Sequence, residues 1–459
     1  LRYFDIEFDE GAGFDDTDPR NAYGPYFQRQ RVEIYHTYAK SLVERGLAYP
    51  CFCTEEELDK VRAKQEEDKV LTGYYGEYAT CRNLSYEEIE ANIKAGKPYV
   101  LRLRSQGSPD KEITFVDAIK GEIKLPENIH DIVLLKKDGI PTYHFAHAID
   151  DHLMRTTTVV RGGEWLASAP IHYELFHLLG FKMPAYAHTA HLMKFDEETG
   201  GKRKLSKRKD PELSLDYYRK DGYHPYTMKV YLLTLLNSNF EEWHEKFPDK
   251  DINEFPFSVE KMNQSGALFD KDKLHNICKN ELSKLSEEEL YDFLYDWARE
   301  NEPENVEKWF GDREKMLQIL RLYMGVGAKR RRKDLMYAKQ IFELISYFFD
   351  GESAEEMDEF KLDEDMVSKI LKSYLAKYDH NDDNSVWFNK LKEIADEHGF
   401  ASDMKAYKAN PENFKGNVSD IAEAVRIAVT GRANTPDLWT IVHIMGEEQM
   451  TERIKKHIK

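Results

Sequence analysis

The sequence is poor in cysteine and has none of the long apolar runs that cross membranes. Only four cysteines occur among its 459 residues, which excludes a disulfide framework and is typical of a reducing compartment. No run of about 18 apolar residues is present, and the basic and apolar start of a secretory signal peptide is also missing. We therefore expect a cytoplasmic protein that makes no membrane contact.

The chain also lacks an initiating methionine and a lead-in segment. It opens on Leu1, and residues 1–6 read as the end of a helix and its exit. We therefore expect a fragment of a longer protein. The length of 459 residues still exceeds one hydrophobic core and predicts domains of roughly 100–200 residues each.

Positive charge is in deficit, because the formal net charge is −18 and the sequence pI is about 5.5. Phosphates repel such a chain at long range, which disfavours non-specific binding of nucleic acid. Local basic clusters are nevertheless present at residues 202–209 and 329–333. A specific nucleic-acid surface on one face of the protein therefore remains compatible with the composition.

Hydrophobic periodicity divides the chain into an α/β part and an α-helical part. Residues 28–46 predict a helix that ends at Gly46, and the alternation at 99–104 predicts a half-buried strand with its basic residues outside. The β-branched run at 157–160 predicts an interior parallel strand, followed by a Gly-rich turn and a helix at 169–179. Open α/β sheets bind ligands at such a turn.

The last 180 or so residues carry helical patterns only. A capping box begins at Ser286, and apolar stripes at helical spacing recur at 335–349, 364–377 and 418–429. We expect an all-α end.

The strongest local signal is the run Lys204-Leu205-Ser206-Lys207-Arg208, which follows the Gly200-Gly201 pair. Mobile cations on such a loop can clamp a triphosphate and stabilise charge on departing pyrophosphate. Taken alone, a basic run is more often a solvated loop or a targeting signal. This run, however, resembles the KMSKS-type signature loop of class I aminoacyl-tRNA synthetases, in the form common in glutamyl enzymes.

Other segments extend the resemblance to bacterial-type glutamyl-tRNA synthetases over almost the whole chain. They follow the family in order and spacing: Asp9-Glu10-Gly11, Gly24-Pro25-Tyr26-Phe27-Gln28, Gly46 to Thr54, Pro141-Thr142-Tyr143-His144-Phe145-Ala146, Asp150 to Met154, Val160-Arg161-Gly162-Gly163-Glu164-Trp165, Leu178 to Phe181, Ala187-His188, Arg426 to Gly431 and Met445 to Glu448. The His-X-Gly-His signature of the family is absent from this sequence, which agrees with a missing N-terminal part.

The resemblance implies a multidomain α/β plus all-α fold: a Rossmann-type class I synthetase catalytic domain with an α+β insertion, followed by an α-helical anticodon-binding domain. The implied divisions are 1–47 for the remainder of the first catalytic half, 48–142 for the inserted acceptor-binding domain, 143–199 for the second catalytic half, 200–275 for the signature loop and stem-contact region, and 276–459 for the anticodon-binding domain.

The implied reaction is ATP-dependent attachment of glutamate to the 3′ end of tRNA(Glu) through glutamyl-adenylate, with Mg²⁺ on the phosphates. The implied partners are tRNA(Glu), L-glutamate and ATP, and we expect a monomer. Two alternatives stay open. A non-catalytic tRNA-binding protein derived from a synthetase would also lack the N-terminal signature. A glutaminyl enzyme is less favoured, because that family ends in β-barrels.

The resemblance also assigns site residues. The glutamate-binding residues would be Tyr143, His147 and Arg161; the ATP-binding residues would be Glu164, Trp165, Lys204, Leu205, Ser206, Lys207 and Arg208, with Lys204 and Lys207 as the catalytic cations. Arg161 suits a carboxylate because guanidinium forms two parallel hydrogen bonds with it; a structural ion pair is the alternative. Tyr143 is otherwise a core residue, and His147 either hydrogen-bonds the ligand or packs.

The remaining candidates concern RNA and metal. Arg330, Arg331 and Arg332 would bind anticodon-arm phosphates, or else form a solvated helix terminus. Cys51, Cys53 and Cys81 supply three thiols, whereas zinc normally takes four ligands. A Cys-X-His pair would complete the site in some relatives, but Arg82 and Asn83 follow Cys81 here. The open alternatives are zinc with Tyr74, Tyr75 or Tyr78 as the fourth ligand, and three reduced cysteines.

Overall fold

The computed structural model describes residues 1–13, 17–196, 198–264, 266–349 and 357–459. The first part of the chain mixes helices and strands in the order α1 (Val32–Glu44), β1 (Ala48–Cys51), α2 (Glu55–Glu67), α3 (Tyr86–Lys94), β2 (Val100–Leu103), β3 (Glu112–Asp117), β4 (Gly121–Pro126), β5 (Val133–Leu135), α4 (Tyr143–Leu153), β6 (Thr158–Gly162), α5 (Ala169–Leu179), β7 (Ala185–Thr189), β8 (Leu192–Phe195), β9 (Lys202–Lys204), α6 (Leu215–Asp221), α7 (Pro225–Leu236), α8 (Phe240–Lys246) and β10 (Ala267–Leu268).

Helix α1 shows how the sequence pattern produces the core of this part. Tyr35, Ala39 and Leu42 recur at helical spacing and are all buried, so that one stripe of α1 packs with Phe145 and Ile149 of α4. The helix ends where the sequence predicts, because Gly46 adopts a left-handed φ of 70°.

The main sheet has the strand order β4-β3-β7-β6. Strands β6 and β7 run parallel and are connected by α5, and β7 also pairs in parallel with β3 through Asp117 and Tyr186. The register sets Arg161 directly opposite His188. Parallel strands end at one edge of a sheet, so the carboxyl ends of β3, β6 and β7 meet there.

Two details of the sequence prediction are wrong. The run at 157–160 forms a parallel strand, but within the described residues β6 is an edge strand, and Val160 is 54% exposed because nothing described pairs with its outer side. Arg102 of β2 was expected outside and is buried instead. Its guanidinium donates to the carbonyl of Asp131 (2.9 Å) and lies 4.0 Å from the centre of the Tyr74 ring.

Two smaller sheets flank the main one. Strands β1, β2 and β5 form an antiparallel sheet, and β8 pairs with β9 and with β10. The hairpin of β3 and β4 belongs to the predicted insertion at 48–142 in sequence, yet it joins the main sheet through β7. The boundaries of the insertion stay a prediction.

From Lys271 onward, the described residues form helices and no strands, as the sequence predicts. These are α9 (Lys271–Leu282), α10 (Glu287–Asn301), α11 (Val306–Phe310), α12 (Arg313–Met324), α13 (Ala338–Ile345), α14 (Glu364–Lys377), α15 (Asn384–His398), α16 (Met404–Ala409), α17 (Val418–Thr430), α18 (Leu438–Met445) and α19 (Glu447–Lys455). The predicted capping box is present, since Ser286 and Glu289 cap each other's backbone.

One hydrophobic core runs through the helical part. It includes Leu294 of α10, Leu320 of α12, Ile341 of α13 and Val425 of α17, all fully buried. Each such side chain contributes roughly 1.5–3 kcal/mol by leaving water. Among the described helices, none is long and apolar enough to cross a membrane.

Candidate active site

Arg161 stands at the end of β6 and is held by three hydrogen bonds. Its Nε donates to His188 Nε2 (3.0 Å), one terminal nitrogen donates to His172 Nδ1 (3.1 Å), and the other donates to the carbonyl of Trp165 (3.4 Å). The guanidinium also lies 4.5 Å from the centre of the Tyr186 ring. Arginine carries five N–H groups, so two of them, one on each terminal nitrogen, have no partner among the residues that the structure describes and could meet a carboxylate.

His172 and His188 are uncharged acceptors for Arg161. Burial, and then the charges of His147 and Arg161, lower the pKa of His172 to about 2. Burial also lowers the pKa of His188, although the Asp117 carboxylate opposes the shift. His172 donates its own N–H to a third histidine, since its Nε2 lies 2.9 Å from His144 Nδ1.

Aromatic rings form a wall next to His172, one of the partners of Arg161. The Tyr143 ring is 4.5 Å from the Trp165 ring and stacks on His147 at 5.6 Å. Tyr143 is 45% exposed, so it faces solvent rather than the core. The structure thus brings Tyr143, His147, Arg161 and Trp165 together.

His147 contacts protein partners with both ring nitrogens. Its Nδ1 lies 2.6 Å from Asp151 Oδ2, and its Nε2 lies 2.7 Å from the Tyr186 hydroxyl. The sequence left open whether His147 binds ligand or packs. The ring is 9% exposed and stacks on Tyr143, so in this arrangement His147 packs behind the Tyr143 ring.

The signature loop is anchored by Asp210, whose side chain is 1% exposed. Its two oxygens accept from the two terminal nitrogens of Arg203 (2.6 and 2.7 Å), and one oxygen also accepts from the backbone N–H of Ser206 (2.7 Å). Lys194 adds a contact of 3.1 Å. The Arg203 hydrogen bonds hold the pKa of Asp210 far below its usual range. Arg203 therefore belongs to the scaffold of the loop.

Lys204, Lys207 and Arg208 are the exposed cations of this loop. No hydrogen bond or ion pair of their side chains occurs within the part of the chain that the structure describes, whereas Leu205 between them is 3% exposed and anchors the loop in the core. Glu164 is exposed beside His191 (3.4 Å). A hydrogen bond with its own backbone, then the charges of Lys204 and His191, lower the pKa of Glu164.

The three cysteines near β1 lie together. The sulfur atoms of Cys51, Cys53 and Cys81 are all within 4.8 Å of one another. Of the three candidate tyrosines, Tyr74 reaches them: its hydroxyl is 3.3 Å from the sulfurs of Cys51 and Cys53. Contacts with Cys53 and then Cys81 lower the pKa of the Cys51 thiol, so a thiolate forms there first.

The basic residues at 329–333 lie on an exposed loop between α12 and α13, not at a helix terminus. Arg332 is paired with Asp334 (2.6 Å). A groove of about 670 Å³ beside this loop is lined by Arg330 and Arg332 together with Trp439 and His443.

Sequence reasoning missed the residues that hold the site in place. His188 and His144 occur in segments that matched the family but were given no role. Asp210 lies two residues after the signature run and was not counted as part of it, and nothing near Asp117 or His172 signals a function in one sequence. Each of these residues lies either far along the chain from the residue that it supports or outside the motif that contains that residue. Their roles follow from strand register and side-chain contacts.

Comparison with known families defines the class of protein. A family described as tRNA synthetases class I (E and Q), catalytic domain, matches residues 2–276, and an anticodon binding domain matches residues 289–458. The chain therefore belongs to the class I tRNA synthetases of the E and Q group. The fold prediction of a class I catalytic domain followed by an all-helical anticodon domain is confirmed.

Individual relatives narrow this class to glutamate–tRNA ligases. The glutamate–tRNA ligase of Acetivibrio thermocellus is 52% identical over 458 residues, which are 99% of this chain and 83% of that protein. That of Clostridium perfringens strain SM101 is 46% identical over 463 residues, covering 100% of this chain and 83% of that protein. The predicted relationship to glutamyl enzymes is confirmed.

A solved structure agrees with these relatives. The glutamate tRNA ligase of Elizabethkingia meningosepticum, crystallised in complex with its amino acid, superimposes with a TM-score of 0.72 at 26% identity. The match covers 96% of this chain and 86% of that one.

Proposed function

We propose that this chain forms the catalytic and tRNA-binding body of a glutamate–tRNA ligase, which activates glutamate with ATP and transfers it to the 3′ end of tRNA(Glu). One observation carries the proposal. Arg161 is fixed by two imidazoles and a carbonyl, keeps two N–H groups that have no partner among the described residues, and is linked to the aromatic wall through His172. This is a preorganised receptor for a carboxylate.

Glutamate offers two carboxylates, and Arg161 suits the one on the side chain. The α-carboxylate has to attack the α-phosphorus of ATP, and a guanidinium clamped onto it would weaken it as a nucleophile. Binding the γ-carboxylate leaves the α-carboxylate free and selects glutamate over amino acids without that charge. The Tyr143 hydroxyl, 45% exposed at the same wall, would donate a further hydrogen bond to the bound amino acid.

The exposed cations of the signature loop serve ATP. Attack by the α-carboxylate forms glutamyl-adenylate and expels pyrophosphate, and Lys204 and Lys207 would stabilise the charge that develops on it. Glu164 and Trp165 line the nucleotide side. Mg²⁺ would be carried by the phosphates of ATP, as the resemblance to the family implies. The terminal ribose hydroxyl of tRNA then takes the glutamyl group and releases AMP.

The first test is tRNA-dependent ATP–pyrophosphate exchange with glutamate, made on this chain and on the longest natural form of the protein. We expect exchange in the longest form and its loss in Arg161→Ala. The matched control is Arg45→Ala, an exposed arginine at the end of α1, which should retain exchange. Absence of exchange in all forms, with tRNA still bound, would refute the ligase and favour a non-catalytic tRNA-binding protein.

Zinc is the second part of the proposal, and the cysteine cluster fits it. Tetrahedral zinc with Zn–S bonds of about 2.3 Å separates its ligand atoms by roughly 3.6–3.8 Å. Cys53 and Cys81 sulfurs are 3.5 Å apart, and the Tyr74 oxygen is 3.3 Å from two sulfurs. We assign the four ligands to Cys51, Cys53, Cys81 and the Tyr74 phenolate. Bound zinc would tie the end of β1 to the segment that carries Tyr74 and Cys81.

Metal analysis of the purified protein tests this assignment. We expect about one zinc per chain in the wild type, loss of zinc in Cys81→Ser, and faster loss to a chelator in Tyr74→Phe. Cys278→Ala is the control, because Cys278 is buried in α9 away from the cluster. A wild-type protein that takes up no zinc would leave three reduced cysteines.

The tRNA contact is proposed for Arg330, Arg331 and Arg332, which would bind phosphates of the anticodon arm. Replacing Arg331 with alanine should weaken tRNA binding and reduce its salt dependence by about one unit of slope. A monomeric state and a cytoplasmic location remain predictions of the sequence.

A further inference from the structure

A buried carboxylate two hydrogen bonds away from the glutamate site is unexplained by the reaction above. Asp117 ends β3 and is 1% exposed. One of its oxygens accepts the backbone N–H groups of Ile119 (3.0 Å) and Lys120 (2.9 Å). The other faces His188, at 2.6 Å from Nδ1 and 3.1 Å from the backbone nitrogen.

We infer that Asp117 is a positioning residue for glutamate binding: its carboxylate fixes the tautomer of His188, and His188 in turn orients the Arg161 guanidinium. The inference rests on the proposed function, in which Arg161 receives the glutamate carboxylate.

The protons of this chain follow from the partners. A carboxylate only accepts hydrogen bonds, so His188 Nδ1 carries the proton that lies between it and Asp117. Burial alone would raise the pKa of Asp117, but hydrogen bonds from His188 and the backbone lower it, which keeps the carboxylate ionised. His188 is neutral, and its Nε2 therefore presents a lone pair to Arg161 Nε–H at 3.0 Å. In the other tautomer the proton would be on His188 Nε2, and this N–H would point at the Nε–H of Arg161 with no acceptor between them.

Asp117→Asn is an informative test, because the hydrogen bonds around the side chain determine how the new amide is oriented. Its oxygen has to stay with the two backbone N–H groups of Ile119 and Lys120. The NH₂ group is then forced towards His188, where it donates to Nδ1. The backbone N–H of His188, which in the wild type lies 3.1 Å from the oxygen that this group replaces and 3.3 Å from the other, stays with the amide oxygen. His188 moves its proton to Nε2, and the lone pair that held Arg161 is lost. The substitution changes hardly any volume, so a packing defect is not expected from size alone.

The experiment compares four proteins in the longest natural form: wild type, Asp117→Asn, His188→Gln and the double variant. Nitrogen-15 shifts of labelled histidine report the His188 tautomer, and His188→Gln identifies its signal. ATP–pyrophosphate exchange gives the half-saturating concentrations of glutamate and of ATP.

We expect Asp117→Asn to switch His188 from the Nδ1–H to the Nε2–H tautomer. The half-saturating glutamate concentration should rise about 10- to 100-fold, as for one lost hydrogen bond to a charged group, while that of ATP stays within about twofold. His188→Gln should show a similar change for glutamate. Because Asp117 acts through His188, Asp117→Asn should add less than about twofold in the His188→Gln background.

Three results would overturn the inference: an unchanged tautomer in Asp117→Asn, an unchanged requirement for glutamate, or glutamate and ATP requirements that rise together as the protein loses thermal stability. A wild-type protein without glutamate-dependent exchange would instead refute the proposed function. In that case the His188 shifts alone would still support or refute the link between Asp117 and the tautomer.

Discussion

Lowering the pH from 7 to 5 should destabilise the catalytic part of this protein through His172. The ring is fully buried, and burial, followed by the charges of His147 and Arg161, lowers its pKa from 6.5 to about 2. Below pH 6.5 the unfolded chain therefore binds a proton at this site that the folded chain does not. The contribution of the neutral His172 to the free energy of unfolding is complete above pH 6.5 and decreases as the pH drops towards 2.

The magnitude follows from these two pKa values. Each pH unit below 6.5 removes about 1.4 kcal/mol, so acidification from pH 7 to 5 should cost about 2 kcal/mol at His172 alone. Other buried histidines, including His188, add to the absolute loss. His172→Asn isolates the single site, because asparagine can keep an oxygen acceptor for Arg161 and cannot titrate.

Hydrogen exchange of the α5 amides, corrected for intrinsic rates, measures the free energy of opening around His172. The variant loses the hydrogen bond to His144 at every pH, so its stability is lower throughout, and only the change with pH is compared. From pH 7 to 5 the wild type should lose about 2 kcal/mol more than His172→Asn. Equal losses in the two proteins would refute the assignment of a buried neutral imidazole.

Three further predictions concern the loop, the ligand wall and the helical core. In Asp210→Asn, either orientation of the amide directs its NH₂ at two of the four donors around it. The half-saturating ATP concentration in exchange assays should therefore rise about tenfold, while that of glutamate stays the same. An unchanged ATP requirement would contradict the anchoring role. Tyr143→Phe keeps the ring contact with Trp165 and should raise half-saturating glutamate about 2- to 10-fold; no rise would show that the hydroxyl does not reach the ligand. Leu320→Ala should lower the free energy of unfolding in urea by about 2–5 kcal/mol, whereas Leu236→Ala, at a side chain 39% exposed, should cost far less; similar losses would argue against the core described.

Local chemistry made much of the fold predictable. The end of α1 at Gly46, the capping box at Ser286 and the helix at 169–179 depend on residues within a turn or two of each other, and all three appear in the structure. The buried Arg102 was missed because its partners, Tyr74 and Asp131, are each about thirty residues away in sequence. Nothing in an alternating pattern reveals such a partner.

The candidate site likewise contains residues that the sequence identified and residues that it missed. Tyr143, Arg161 and the signature loop were assigned through motifs that resemble those of the glutamyl-tRNA synthetase family. Asp117 and His172 were not, because a carboxylate in a strand and a histidine in a helix have no local signature. Only the parallel pairing of β3, β6 and β7 brings Asp117 beside His188 and Arg161. That pairing joins segments that are far apart in sequence.

The choice of partners around Arg161 determines how much charge the site presents to its ligand. A carboxylate in place of His188 or His172 would hold the guanidinium just as firmly, but it would form a neutral pair and weaken the attraction for the glutamate carboxylate that we propose as its ligand. The imidazoles supply lone pairs without negative charge, and Asp117 is set back behind a ring. Arg161 therefore keeps its positive charge in a half-buried position, and an uncharged side chain such as that of glutamine would gain less from it than a carboxylate does.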